Sequence, residues 1–148
     1  MNRTISFYVT GEPKAQPRPR AFARKMGDRY VARVFDIGTA EHWKSAIAEE
    51  ARKAGLTKFE GAVSLELRFN FKRPKSQFTK GGLVKHTSPA YHTQRPDLDN
   101  AEKACEDALT QIGAWQDDSF IARKLSTKDW AIGNSPGGCH ITISELSE

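Results

Sequence analysis

Residues 95 to 118 constrain this chain more than any other stretch. They read Arg95-Pro96-Asp97-Leu98-Asp99-Asn100-Ala101-Glu102-Lys103, then Ala104 to Gln116, then Asp117-Asp118. Proline fixes its own φ and biases the residue before it toward extended backbone, so an extended segment is expected to lead into Asp97. In such a segment residues i and i+2 share a side, which puts Asp97 and Asp99 together and turns Leu98 inward. A helix is expected next. Ala101, Ala104, Cys105, Ala108, Leu109 and Ile112 recur at i, i+3, i+4, i+7, i+8 and i+11, one apolar stripe at helical period. Gly113 ends it. Lys103 falls on the polar side, four residues after Asp99.

Carboxylates that converge need a reason. Two of them about 5 Å apart repel by roughly 3 kcal/mol at an effective dielectric near 20. A cation relieves that repulsion, and an all-oxygen site with open positions suits Mg²⁺, with Mn²⁺ as a substitute. Asp97 and Asp99, with the Asp117-Asp118 pair, are the carboxylates that could converge on such an ion. The same residues admit structural roles. Asp99 with Glu102 three positions on fits a capping box, Asp117-Asp118 fits a turn, and Lys103 can pair with Asp107 at i+4.

The full run, R-P-D-L-D-N, Lys103, Asp107-Ala108-Leu109, Gly113, Trp115 and Asp117-Asp118, resembles the signature of the RusA family of Holliday junction resolvases. The resemblance implies catalytic roles for Asp97, Asp99 and Asp118 as metal ligands and for Lys103 beside them. It also implies a homodimer whose two sites nick opposed strands of a four-way DNA junction. A bare D-x-D is weak evidence; the whole run with its spacing is fairly specific. Asp107 matches the pattern too, either as a site residue or as a brace for Lys103.

With 148 residues the chain is expected to form one domain over 1–148 with a real core. Its net charge of +5 favours a polyanionic partner. From Lys14 to Arg33 there are seven Lys/Arg and one acid, Asp28, and from Leu67 to Pro96 there are seven Lys/Arg and no acid. Candidate DNA contacts are therefore Lys14, Arg18, Arg20 and Arg24 in the first run, and Lys72, Arg73, Lys75, Lys80 and Arg95 in the second. Arg18 and Arg20 stand out because Pro17 and Pro19 spread them apart. Cys105 and Cys139 read as small buried hydrophobes. The four histidines lack zinc spacing, and no P-loop or Rossmann fingerprint points to a small-molecule cofactor. No apolar run has the length of a membrane span, and Met1-Asn2-Arg3-Thr4 lacks a signal-peptide core, so a reducing cytoplasm is expected.

Elements follow from the patterning. Strands are expected over Ile5–Val9, Tyr30–Phe35 paired with residues near Ala21–Ala23, Ala62–Phe71, Phe120 to Ile132 with Asp118 leading in, and His140–Leu146. Ala62–Phe71, the clearest, should lie beside the first strand. Thr39 is the expected N-cap of a helix over Ala40–Ala54 whose apolar side is Trp43, Ala46, Ile47, Ala51 and Ala54, closed by Gly55. Lys72–Arg95 is a long aperiodic loop, functional or disordered. The sum is a single α+β domain, a mixed or antiparallel sheet with two main helices packed on one face. Two other functions fit the basic loops: a non-catalytic nucleic-acid-binding module, and a metal nuclease acting on other branched DNA.

Overall fold

The computed structural model describes residues 2–17, 20–26, 29–35 and 40–147, with 20–26 and 29–35 described by their backbone. The chain runs β1 (Thr4–Thr10), β2 (Arg20–Met26), β3 (Arg29–Phe35), α1 (Glu41–Lys53), β4 (Val63–Phe71), α2 (Leu98–Gln111), β5 (Ile121–Trp130) and β6 (Gly137–Glu145). Short 3₁₀ turns occur at Lys75–Gln77 and Asp118–Phe120. β2 and β3 form a separate antiparallel pair, from Arg20 opposite Phe35 to Met26 opposite Arg29.

The main sheet has the order β1-β6-β4-β5. β6 is antiparallel to both β1 and β4, and β4 is parallel to β5. A parallel pair needs a crossover, and α2 supplies it. The expected pairing of the first strand with Ala62–Phe71 is corrected here, because β6 lies between them. Burial explains the arrangement. Cys139, Ile141 and Ile143 of β6 are fully buried, whereas β1 buries only Phe7 and Val9 and serves as an edge. Pairing between the two ends of a chain is a tertiary outcome that no local period encodes.

β4 alternates as its sequence does, with Val63, Leu65, Leu67, Phe69 and Phe71 all facing the core. Each such side chain, fully buried, contributes about 1.5–3 kcal/mol. They meet Trp43, Ile47 and Ala51 of α1 and Ala101, Ala104, Cys105, Ala108 and Leu109 of α2 in one cluster. The opposite face of the sheet is polar: Ser6 bonds His140 and Thr142 at 3.2 and 3.0 Å. Both helices therefore cover the same face, as expected.

Both helices close alike. The N–H of Gly55 bonds Arg52 O and that of Leu56 bonds Ala51 O; Gly113 to Thr110 O and Ala114 to Leu109 O repeat the pattern. This closure requires a left-handed residue, and the glycines supply it at φ +78° and +82°. Two details of the helices differ from expectation. Ile112 is the C-cap of α2 and is 41% exposed, so the apolar stripe ends at Leu109. Ala54 likewise is exposed beyond the end of α1. Thr39, the expected N-cap of α1, lies outside the described residues. Lys44, unremarked in the sequence, is buried.

Residues 72–95 form a folded connection with its own turns. Phe78 and Val84 make an isolated antiparallel bridge, Ser88 Oγ bonds Gln77 O, and Arg73 Nη1 donates to Gln77 Oε1 at 2.8 Å and Pro89 O at 3.0 Å. Among the described residues no helix is long and apolar enough to cross a membrane.

Candidate active site

Asp97 is the N-cap of α2, with φ −64° and ψ 147°, and Leu98 begins the helix. The first helical bond runs from Ala101 N to Asp97 O at 3.0 Å. The expected extended pair Asp97-x-Asp99 is thus corrected. Asp97 ends the extended backbone, Leu98 is half-buried, and Asp99 already stands in the first helical turn, where carboxylates suit the positive end of the helix dipole. The capping box is absent as well. The Asp97 side chain makes no capping bond, Asp99 Oδ1 accepts from Asn100 N at 2.9 Å, and Glu102 turns to Lys124 at 3.0 Å.

A cleft of about 510 Å³ opens at this helix end, lined by Glu12, Lys14, Arg95, Asp97 and Asn100 among others. Two contacts build it. Gln16 N donates to Asn100 O at 3.1 Å, docking the segment after β1 onto the first turn of α2. Lys128 Nζ, from β5, donates to Gln94 O at 2.7 Å and Pro96 O at 2.9 Å, clamping the backbone on both sides of the cis Arg95–Pro96 peptide. Neither contact is legible in the sequence. Glu12 is a second carboxylate of the cleft that sequence reasoning missed; it pairs with Lys14 at 3.5 Å. Its only local signal is an acid placed just before a basic run.

Lys103 is exposed on α2 and lies 3.9 Å from Asp107, the i+4 partner. So long and exposed a pair holds it weakly. A second cleft, about 400 Å³, shares Glu12 and Arg95 with the first and is bordered by Lys72, Arg73 and Lys75. Four of the predicted DNA-contact residues, Lys72, Arg73, Lys75 and Arg95, therefore line one cleft, and it adjoins the Asp97 cleft, which Lys14 and Arg95 line. Lys80 is exposed in the 72–95 connection. Arg20 and Arg24 belong to β2, of which the backbone alone is described, and Arg18 lies outside the described residues.

In the wall of the second cleft His92 stacks on Phe71 at 4.2 Å and meets Trp130 edge-on at 4.7 Å. Burial, then the nearby Lys128 charge, lowers the His92 pKa and so favours the neutral ring. Burial also works against the Lys124 ammonium, but Glu106 and Glu102 outweigh it and raise its pKa. Cys105 and Cys139 are buried and free, as expected. A hydrogen bond to the Cys139 side chain, then burial, pushes the Cys105 thiol up, which leaves it inert.

Asp118 does not join Asp97 and Asp99 within the chain. The Lys128 contacts place the end of β5 beside the N-terminus of α2, and Lys124 reaches Glu102 and Glu106 in its middle. β5 therefore runs antiparallel to α2, and Asp118, just before β5, lies toward the far end of a 14-residue helix about 21 Å long. Asp117 caps the 3₁₀ turn there, accepting from Ser119 N at 2.8 Å and from the Ser119 hydroxyl. The hydroxyl first, then the backbone bond, lowers its pKa. Among the described residues no group of three or more His, Cys, Asp or Glu side chains is arranged to hold a metal ion.

Fold and site together define a mixed α+β protein with a carboxylate-bearing cleft in basic surroundings at one end of its sheet. Comparison with known proteins gives its family. The model of the endodeoxyribonuclease RusA family matches residues 10–144, so the chain belongs to that family. It is also 29% identical over 129 residues to the uncharacterized protein YqaN of Bacillus subtilis (strain 168), a match that spans 79% of this chain and 81% of that protein.

Proposed function

We propose that the protein is a Mg²⁺-dependent endodeoxyribonuclease that resolves four-way DNA junctions as a homodimer. Membership of the RusA family supports the nuclease class. The observation that carries the reading to these residues is the cleft at the N-terminus of α2, where the uncapped Asp97 meets Lys14 and Arg95.

The donors present fit a hard cation. Mg²⁺ binds through one or two carboxylates, keeps several waters and accepts phosphate oxygens. Asp97, with its side chain unspent on capping, and Asp99 in the first turn of α2 would supply such carboxylates. The ion, when bound, would activate water for attack on the phosphodiester and neutralise the phosphate; Mn²⁺ could replace it. The protein's own groups do the rest. Lys14 and Arg95 draw the strand into the cleft, and Lys72, Arg73 and Lys75 bind the neighbouring phosphates. Lys103 stabilises charge that develops on the leaving oxygen. The helix end adds its own positive potential. The two buried free thiols fit a reducing cytoplasm.

Asp118 enters this reading through the dimer. Within one chain it precedes β5, toward the end of α2 away from Asp97. Two copies related by a two-fold axis across α2 would run these helices antiparallel, bringing Asp118 of each toward Asp97 and Asp99 of the other. Mixing variants tests this. Asp97→Asn and Asp118→Asn should each be inactive alone. Their mixture should recover nicking, because each mixed dimer regains one complete site, and it should nick one strand without resolving the junction. An active wild type with no recovery on mixing would rule out the shared site.

A further inference from the structure

The tip of the 72–95 connection is apolar, and it is held in shape. Leu83 and Val84 are 73% and 45% exposed. Single exposed hydrophobes are ordinary, but these two are adjacent on a turn tied by its own backbone. Thr79 N donates to Leu83 O at 2.7 Å, Gly82 N to Thr79 O at 3.0 Å, and Leu83 N to Thr79 Oγ1 at 3.2 Å. Below the tip the Phe78–Val84 bridge and the bond from Lys85 N to Gln77 O close the turn. Arg73 fastens its base through Gln77 and Pro89 while lying over the Trp130 ring at 5.0 Å. A leucine is thus presented to water on a braced projection.

Its surroundings say what covers it. Lys80 and Lys85 flank the tip, and no acid occurs between Leu67 and Pro96. A second copy of this tip would set like charges against each other. A DNA strand offers phosphates for the lysines and, where bases are unstacked, an apolar face for the leucine. The base of the projection belongs to the Arg73 cleft, which shares Glu12 and Arg95 with the Asp97 cleft. The tip and the candidate active site therefore spring from the same end of the sheet.

We propose that residues 78–85 form a DNA wedge, in which Leu83 and Val84 insert against an exposed base face at a branch point while Lys80 and Lys85 hold the flanking phosphates. The proposal rests on the nuclease reading above and adds to it a source of preference for branched DNA. Apolar wedges partly unstack the step they enter, which is costly in continuous duplex. That cost is smallest where pairing or stacking is already broken. A wedge of this kind therefore favours a junction over linear duplex without reading sequence.

The test uses the full chain carrying Asp97→Asn, so that the DNA stays intact, and a four-way junction with 2-aminopurine beside the crossover. Binding should raise the 2-aminopurine fluorescence severalfold. Adding Leu83→Ser, a change at an exposed position, should remove most of that rise and lower the preference for junction over linear duplex about tenfold. Leu83→Phe should keep both. An unchanged rise with Leu83→Ser would overturn the wedge. So would a dimer that falls to monomer on the same change, since the tip would then belong to a contact between copies. Mg²⁺-dependent nicking by the wild type is read in parallel. Its absence would sink the nuclease reading, whereas the fluorescence decides the wedge.

Discussion

Asp97 and Lys103 illustrate how little a residue's chemistry depends on its immediate partners here. Asp97 occupies an N-cap position and makes no capping bond, so its carboxylate is available to a cation at modest cost to the helix. Lys103 holds Asp107 only across 3.9 Å at the surface, and exchanging that contact for a substrate oxygen costs little. Lys103→Met should therefore leave stability within about 0.5 kcal/mol of wild type. It should slow single-turnover cleavage by about 10²–10³ at saturating DNA, the scale of a lost electrostatic donor. Rates at saturation, set beside binding curves, check this. An unaltered rate would return Lys103 to the role of a surface lysine.

At the scale of elements, the cleft depends on three segments meeting: the stretch after β1, the turn into α2, and the end of β5. Lys128 is the clamp, since its ammonium bonds two carbonyls on either side of Arg95-Pro96. Lys128→Met should cost about 2 kcal/mol in urea unfolding, as hydrogen bonds to a charged donor are lost. It should also lower cleavage by letting Asp97 drift, while Lys128→Arg recovers part of both. Equal stability and activity in the methionine variant would show that the turn holds itself. The helix itself is legible in the sequence, because its stripe from Ala101 to Leu109 repeats at helical period and is buried as patterned. Its start is less legible, because extended and capping forms of Asp97 share the same backbone and differ only in the residues after it. The clamp, Glu12 and the central place of β6 are not legible at all. Each is a contact between segments far apart in sequence, and propensity carries no record of such contacts.

For the whole molecule, charge and geometry set the task. The net charge of +5 is concentrated in two runs, and Lys14, Arg95, Lys72, Arg73 and Lys75 come from both to line neighbouring clefts. The acidic pattern of residues 95–118 is readable as a unit. Its spatial division, with Asp97 and Asp99 at one end of α2 and Asp118 toward the other, is not, because spacing along a chain does not reveal which end of a helix a later strand begins beside. The proposed function stands on metal-dependent cleavage of a junction through Asp97. Its most direct measurement is incubation of a labelled four-way junction with wild type and Asp97→Asn, each with and without Mg²⁺. Paired nicks are expected only for wild type with Mg²⁺, and intact but bound junction for the variant. Nicks that persist in Asp97→Asn, or binding without cleavage by the wild type in Mg²⁺, would contradict it.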